Sequence, residues 1–116
     1  MQKLLQTQEI SDDLKKQIIL ESISDKHCRQ ILKNTINKPK SAMMISEEEN
    51  ICLSTVYRKL RRLYDGKLLT ISGSFNRDKK KYFLYMSKIK DVTIHCNLEE
   101  ITIECVLNNA KQEDIN

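Results

Sequence analysis

The chain is poor in the residues that break or bend a backbone. Two glycines and one proline in 116 residues leave no material for a flexible linker or a low-complexity segment. They also exclude a glycine-rich loop of the kind that cradles a phosphate. Histidine is equally scarce: His27 and His95 stand far apart and read as polar surface residues. No two of the four cysteines have Cys-x2-Cys spacing, and no histidine lies at a metal-finger distance from them, so no metal site is expected. With no nucleophile–base pair, no metal set and no phosphate loop, an enzyme is the least favoured class, and no cofactor is expected.

Long apolar runs are missing too, and none approaches the length needed to span a bilayer. The opening Met1–Gln8 lacks the apolar core of a signal peptide, so a cytoplasmic protein without membrane contact is expected. In that compartment Cys28, Cys52, Cys96 and Cys105 should be reduced and mostly buried, with Cys52 an inward-facing turn residue.

What is present is enough apolar material, 40% of residues, for one domain with a modest core. The net charge of +4 conceals an uneven distribution. Residues 38–90 hold 13 Lys/Arg against 5 Asp/Glu, whereas the other 63 residues hold 7 against 11. A basic middle between acidic flanks marks where a polyanion would bind.

Periodicity divides the chain into helices and then strands. Residues 11–22 read as a helix capped by Ser11, with Ile10, Leu14 and Ile18 on its inner stripe and Ile19 and Leu20 widening it. Residues 25–36 follow, capped at Ser24-Asp25, and stop at Asn37-Lys38-Pro39. Ser41 caps a helix over 41–49, which ends at Asn50, a residue that tolerates left-handed backbone. After the turn 50–53, Ser54 opens a helix over 54–64, and Gly66, free to take positive φ, closes it. From there the period becomes two. Residues 67–72 and 81–86 are strands flanking the loop 73–80. Residues 92–96 and 101–105 form a second hairpin, in which pairing of residues 96 and 101 puts both apolar triplets on one face. Residues 109–116 read as a frayed tail.

The helix over 54–64 carries the functional argument. Val56, Leu60 and Leu63 form its core stripe. Opposite them lie Ser54, Arg58 and Arg61, flanked by Thr55 and Arg62. Tyr57 and Tyr64 sit at one edge and Lys59 at the other. A helix fits the DNA major groove, where arginine bonds guanine O6 and N7 in bidentate fashion. Short polar residues at its N-terminal end allow close approach. The loop that follows offers Asn76, Arg77, Lys79, Lys80 and Lys81 for phosphate or minor-groove contact.

These segments resemble an ArsR-like winged helix-turn-helix transcription regulator of the small archaeal type. The resemblance covers residues 22–86. Ile23-Ser-Asp-Lys-His-Cys-Arg-Gln-Ile-Leu32 is similar to the family's first helix, Lys40-Ser-Ala-Met-Met-Ile-Ser46 to its second, and Leu53-Ser-Thr-Val-Tyr-Arg-Lys-Leu60 to its recognition helix. Gly66-Lys-Leu-Leu69 resembles the lead into the wing. The resemblance implies a winged helix-turn-helix (23–87), and residues 88–108 resemble the β-hairpin that follows the wing in some members; with the N-terminal helical extension (1–22) and the tail (109–116) read above, the expected fold is α+β in four parts. It implies sequence-specific binding of double-stranded DNA by a homodimer. The recognition helix would be 54–64, and the basic wing 74–81 would lie on the backbone or in the minor groove. The metal-sensing cysteines of some family members are absent from the helix. The alternative is a winged-helix adaptor, whose arginine face meets an acidic protein within a transcription or other assembly.

Overall fold

The computed structural model describes residues 7–108. In chain order the elements are β1 (Thr7–Ile10), α1 (Asp13–Ser24), α2 (Lys26–Asn34), α3 (Ala42–Glu49), α4 (Leu53–Asp65), β2 (Leu69–Phe75), β3 (Lys81–Ser87), β4 (Ile89–Cys96) and β5 (Ile101–Leu107). The fold is mixed α+β. Its strands form a three-stranded sheet in the order β1-β5-β4 and a separate hairpin, β2-β3. The expected tail at 109–116 and the first six residues lie outside the described residues.

The core is aliphatic and shared by all these layers. Ile19 of α1, Ile31 of α2, Ile45 of α3, Leu63 of α4 and Ile103 of β5 are completely buried within one cluster. The stripes of α2 and α4 supply six of its eighteen buried residues, because apolar residues recur at helical spacing on a single face. In α2 these are Cys28, Ile31 and Leu32, and in α4 they are Val56, Leu60 and Leu63.

Helix ends follow local chemistry. Ser41 Oγ accepts from the Met44 N–H at 3.1 Å, as a serine cap should. Asn50 takes φ 56° and ends α3. There the Ile51 N–H donates to the Ser46 carbonyl, and the Ser46 hydroxyl donates back to the Ile51 carbonyl at 2.6 Å. This doubly bonded turn fixes α3 against α4.

Several sequence expectations need correction. Residues 7–10 are a strand, not helix: β1 pairs antiparallel with β5, and Ile10 faces Ile103. The chain therefore turns at Ser11, and Asp12 instead caps α1, its Oδ1 accepting from the Leu14 N–H. Leu14, now in the exposed first turn, is 70% accessible, and Ile19 and Ser22 form the buried side. Helix α2 ends earlier than expected. The Thr35 hydroxyl bonds back to the Ile31 carbonyl while the Thr35 carbonyl accepts from the Ser87 N–H, which docks β3 onto the end of the helix.

Helix α4 begins at Leu53, so Cys52 rather than Ser54 occupies its N-cap. Cys52 is exposed, as is Cys96, and only Cys28 and Cys105 are buried. Ile51 takes the inward position of that turn instead. Gly66 has φ −80°, and Lys67 adopts the left-handed conformation in its place. The glycine is required by proximity, since a Cβ there would stand 2.6 Å from Ile18 Cγ2. Strand β2 is shifted along the chain from the expected 67–72 and pairs out to Phe75, opposite Lys81 where β3 starts as expected, which shortens the loop.

The second hairpin has the expected register. Cys96 pairs with Ile101, Ile94 with Ile103 and Val92 with Cys105. A one-residue slip would turn all six side chains to the other face.

Candidate nucleic-acid interface

Helix α4 is anchored along one side and open along the other. Val56 and Leu63 are fully buried and Leu60 nearly so. This fixes the azimuth of every other residue. Ser54, Tyr57, Arg58, Arg61 and Arg62 are exposed and Thr55 half-buried, the distribution expected from the helical wheel. At about 1.5 Å per residue the 13 residues span roughly 20 Å.

The cations of α4 differ in their freedom. Lys59 bonds Asp25, the N-cap of α2, and its side chain is only 15% exposed. Arg62 Nη1 lies 3.8 Å from the same carboxylate oxygen. Partial burial pushes the Asp25 carboxyl up. The Lys59 hydrogen bond, the Cys28 N–H and the charge of Lys59 outweigh that effect and hold it at about 2. Arg61 meets Asp65 at 3.8 Å with both side chains largely in solvent, a contact worth little. Arg58 donates to Thr55 Oγ1 at 3.2 Å and has no ion pair among the described residues.

Ahead of the helix, the Cys52 thiol is lowered from its ordinary range. Hydrogen bonding from the Ser54 hydroxyl contributes most, followed by the Ser54 and Thr55 N–H groups, with Arg58 adding a smaller favourable charge.

The β2–β3 hairpin stands beside α4, and its tip is built by one side chain. Asn76 Oδ1 accepts from the N–H groups of both Asp78 and Lys80 at 2.9 Å. Asn76 N–H donates to the Lys80 carbonyl, and Lys79 takes φ 62°. The Asn76 carbonyl oxygen is thus committed to the turn, which leaves its amide NH2 for any ligand. Arg77, Lys79, Lys80 and Lys81 are all exposed, and among the described residues none is in an ion pair. The hairpin is tied to the helices through Lys40, whose N–H donates to the Tyr85 carbonyl at 3.0 Å and whose carbonyl accepts from the Tyr85 N–H at 2.8 Å. This one-residue bridge, invisible as a strand in the sequence, sets the hairpin's angle to the helices.

Between the hairpin and the helices is a cleft of about 370 Å³, lined by Met43, Tyr57, Asn76, Lys81, Phe83 and Tyr85 among others. Sequence reasoning missed it, because its walls come from three elements distant in the chain. Among the described residues no group of three or more His, Cys, Asp or Glu is placed to hold a metal ion, and no helix is long and apolar enough to cross a membrane.

The arrangement offers a helix face with exposed guanidinium groups, of which Arg58 has no ion pair among the described residues, and, next to it, a cationic tip. Guanidinium groups and lysines at these positions suit a ligand with regularly spaced anionic groups and planar acceptors. Compared with known proteins, the chain matches no family model, no curated sequence and no solved structure. The functional reading therefore rests on this geometry and on the sequence.

Proposed function

We propose that the protein is a sequence-specific double-stranded DNA-binding transcription regulator of winged helix-turn-helix type. Helix α4 reads the major groove and the β2–β3 tip rests on the backbone or in the minor groove. One observation carries the reading. The face of α4 opposite its buried stripe holds Arg58 and Arg61 in the open, with Arg62 half-exposed at its flank 3.8 Å from Asp25, while Lys59, turned sideways, is consumed by Asp25. The cations left over are arginines, which suit bidentate bonding to guanine edges. The short doubly bonded turn from α3 supports the docking geometry, since α3 can cross the backbone while α4 enters the groove. Ser54 and Thr55 stand at the groove end of the helix, and Tyr57 lies beside them for a phosphate or thymine methyl. Asn76, Arg77, Lys79, Lys80 and Lys81 supply positioning contacts that carry no sequence information.

A homodimer is part of the proposal. A single module of this size buries little DNA surface, and a two-fold reader gains a second half-site. The outer edge of β4 has no strand partner among the described residues, and Ile94 and Leu98 beside it are exposed. The test is selection of bound duplexes from a random DNA pool at near-physiological salt. A recovered inverted repeat with half-sites about one helical turn apart is the expected result. A pool that stays random, with binding lost as salt rises, would replace this reading by that of an adaptor for an acidic protein partner.

A further inference from the structure

The protein has six aromatic residues, four tyrosines and two phenylalanines, and only Tyr85 is buried. The core is built from isoleucine, leucine and valine instead. Tyr57, Tyr64, Phe75, Tyr82 and Phe83 are each at least 38% exposed, Phe75 at 68%. None of the five belongs to the core cluster, and four of them lie on the β2–β3 hairpin or against it. The cross-strand register puts Phe75, Phe83 and Tyr85 on one face of the hairpin, together with Lys81. Gly73 stands opposite Phe83, so no side chain across the ladder covers that ring. Lys81 Nζ lies 5.3 Å from its centroid.

Lys81, Phe83 and Tyr85 of this face line the cleft, together with Met43 and Tyr57 from the helices. Among the described residues no acidic side chain lines it. The cleft's volume of about 370 Å³ falls in the range of small-ligand sites, roughly 300–1,000 Å³. Stacking on aromatic side chains within a cationic surface is how proteins hold unpaired bases, because every base offers a π face.

We propose that this cleft holds an unpaired nucleobase, stacked against Phe83 and Tyr57 with Lys81 on the adjoining phosphate, so that the protein prefers duplex DNA next to a single-stranded segment. The proposal rests on the DNA-binding reading and adds a second kind of contact to it. An intact duplex keeps its bases stacked inside, where none can enter the cleft. A junction, bubble or frayed end supplies one without the cost of opening a base pair. Charge complementarity favours a nucleic acid over an apolar peptide, since the rim carries Lys81 and the tip next to it Arg77, Lys79 and Lys80.

The test compares binding of the full chain to three probes by fluorescence anisotropy. They are a blunt duplex of mixed sequence, the same duplex with a short single-stranded tail, and the tailed duplex with 2-aminopurine at the first unpaired position. The tailed duplex should bind about tenfold more tightly than the blunt one, and the 2-aminopurine emission should be quenched. Phe83→Ala should abolish both the preference and the quenching while leaving blunt-duplex affinity unchanged, and Phe83→Tyr should retain them. Equal affinity for blunt and tailed probes, with emission unquenched, overturns the inference and leaves the duplex reading intact. Failure to bind any of the three overturns both. Self-association of the chain that Phe83→Ala removes would assign the cleft to a second copy and overturn the inference as well.

Discussion

Lys59 of α4 and Asp25 at the start of α2 form a hydrogen-bonded ion pair, with the two side chains 15% and 19% exposed. Asp25 serves three partners at once, because its Oδ1 also caps α2 through the Cys28 N–H at 3.0 Å and Arg62 approaches its Oδ2. The pair therefore fixes the rotation of the proposed reading helix about its own axis. It also sorts the cations of α4: Lys59 holds the fold, Arg62 sits half-exposed against the same carboxylate, and Arg58 and Arg61 face outward.

A pH dependence follows. The Asp25 carboxyl is held at about 2 against an ordinary 3.8. Its depressed value means that the folded state binds the proton more weakly than the unfolded chain does. The stabilisation is fully present above the unfolded value and is lost as pH falls through the folded one. Urea denaturation should show stability declining between pH 4 and pH 2, and Asp25→Ala should be less stable at neutral pH by about 1–3 kcal/mol. Most of the acid-dependent decline assigned to this group should vanish in the variant. A decline of unchanged size would show that other carboxylates cause it.

Arg58 and Lys80 separate reading from positioning. Arg58→Ala should weaken specific duplex binding by about 1–3 kcal/mol and relax base preference at one position. Lys80→Ala should weaken all sequences alike and lower the salt slope by about one. The comparison is a salt titration of each variant on the selected and a random duplex. Equal losses on both duplexes for Arg58→Ala would count against base reading by that residue.

Helical spacing made the stripe of α4 legible, because Val56, Leu60 and Leu63 recur on one face whatever surrounds them. The Cys96–Ile101 register was legible for the same kind of reason, since only one pairing aligns two apolar triplets. Residues 7–10 were not legible. Four residues carry too little pattern to call for a strand, and Ile10 fits the following helix's period as well as it fits β5. The exposure of Cys52 depended on where α4 starts, a matter of one residue that a serine at position 54 disguised. The lysine at position 67 accepts the left-handed conformation that glycine usually takes, because Leu68 N–H must reach the Leu63 carbonyl, at 2.9 Å, for Leu68 to enter the core. At the candidate interface the arginine face could be read from the helix alone. The aromatic cleft could not, since Met43, Tyr57 and Phe83 meet only after the Lys40–Tyr85 bridge has set the hairpin.

Gly66 tests the packing of α1 directly. Its φ of −80° suits any residue, so backbone freedom is not its role. An added Cβ would lie 2.6 Å from Ile18 Cγ2 and 3.4 Å from the Arg62 carbonyl. The methyl it meets is on a β-branched side chain with little rotational freedom. Gly66→Ala should therefore destabilise by about 1–3 kcal/mol through overpacking, measured by chemical denaturation. Pairing it with Ile18→Ala should recover part of the loss, whereas simple additivity of the two changes would mean that the contact is not what Gly66 preserves.

The four cysteines should divide into two reactivity classes. Alkylating agents attack the thiolate, so both access and ionisation matter. Cys28 and Cys105 are completely buried, and burial pushes both thiols up, Cys105 to about 11. Cys52 and Cys96 are exposed, and Cys52 is additionally lowered by bonds from Ser54 and Thr55 at the start of α4. Iodoacetamide labelling of the native protein, mapped by mass spectrometry, should modify Cys52 fastest and leave Cys28 and Cys105 intact until denaturant is added. Ser54→Ala should slow labelling at Cys52 near neutral pH without altering Cys96, because it removes the largest contribution to the lowered thiol. Prompt labelling of Cys105 in the native protein would mean that the side of β5 carrying Ile103 and Cys105 is not held in the core as described.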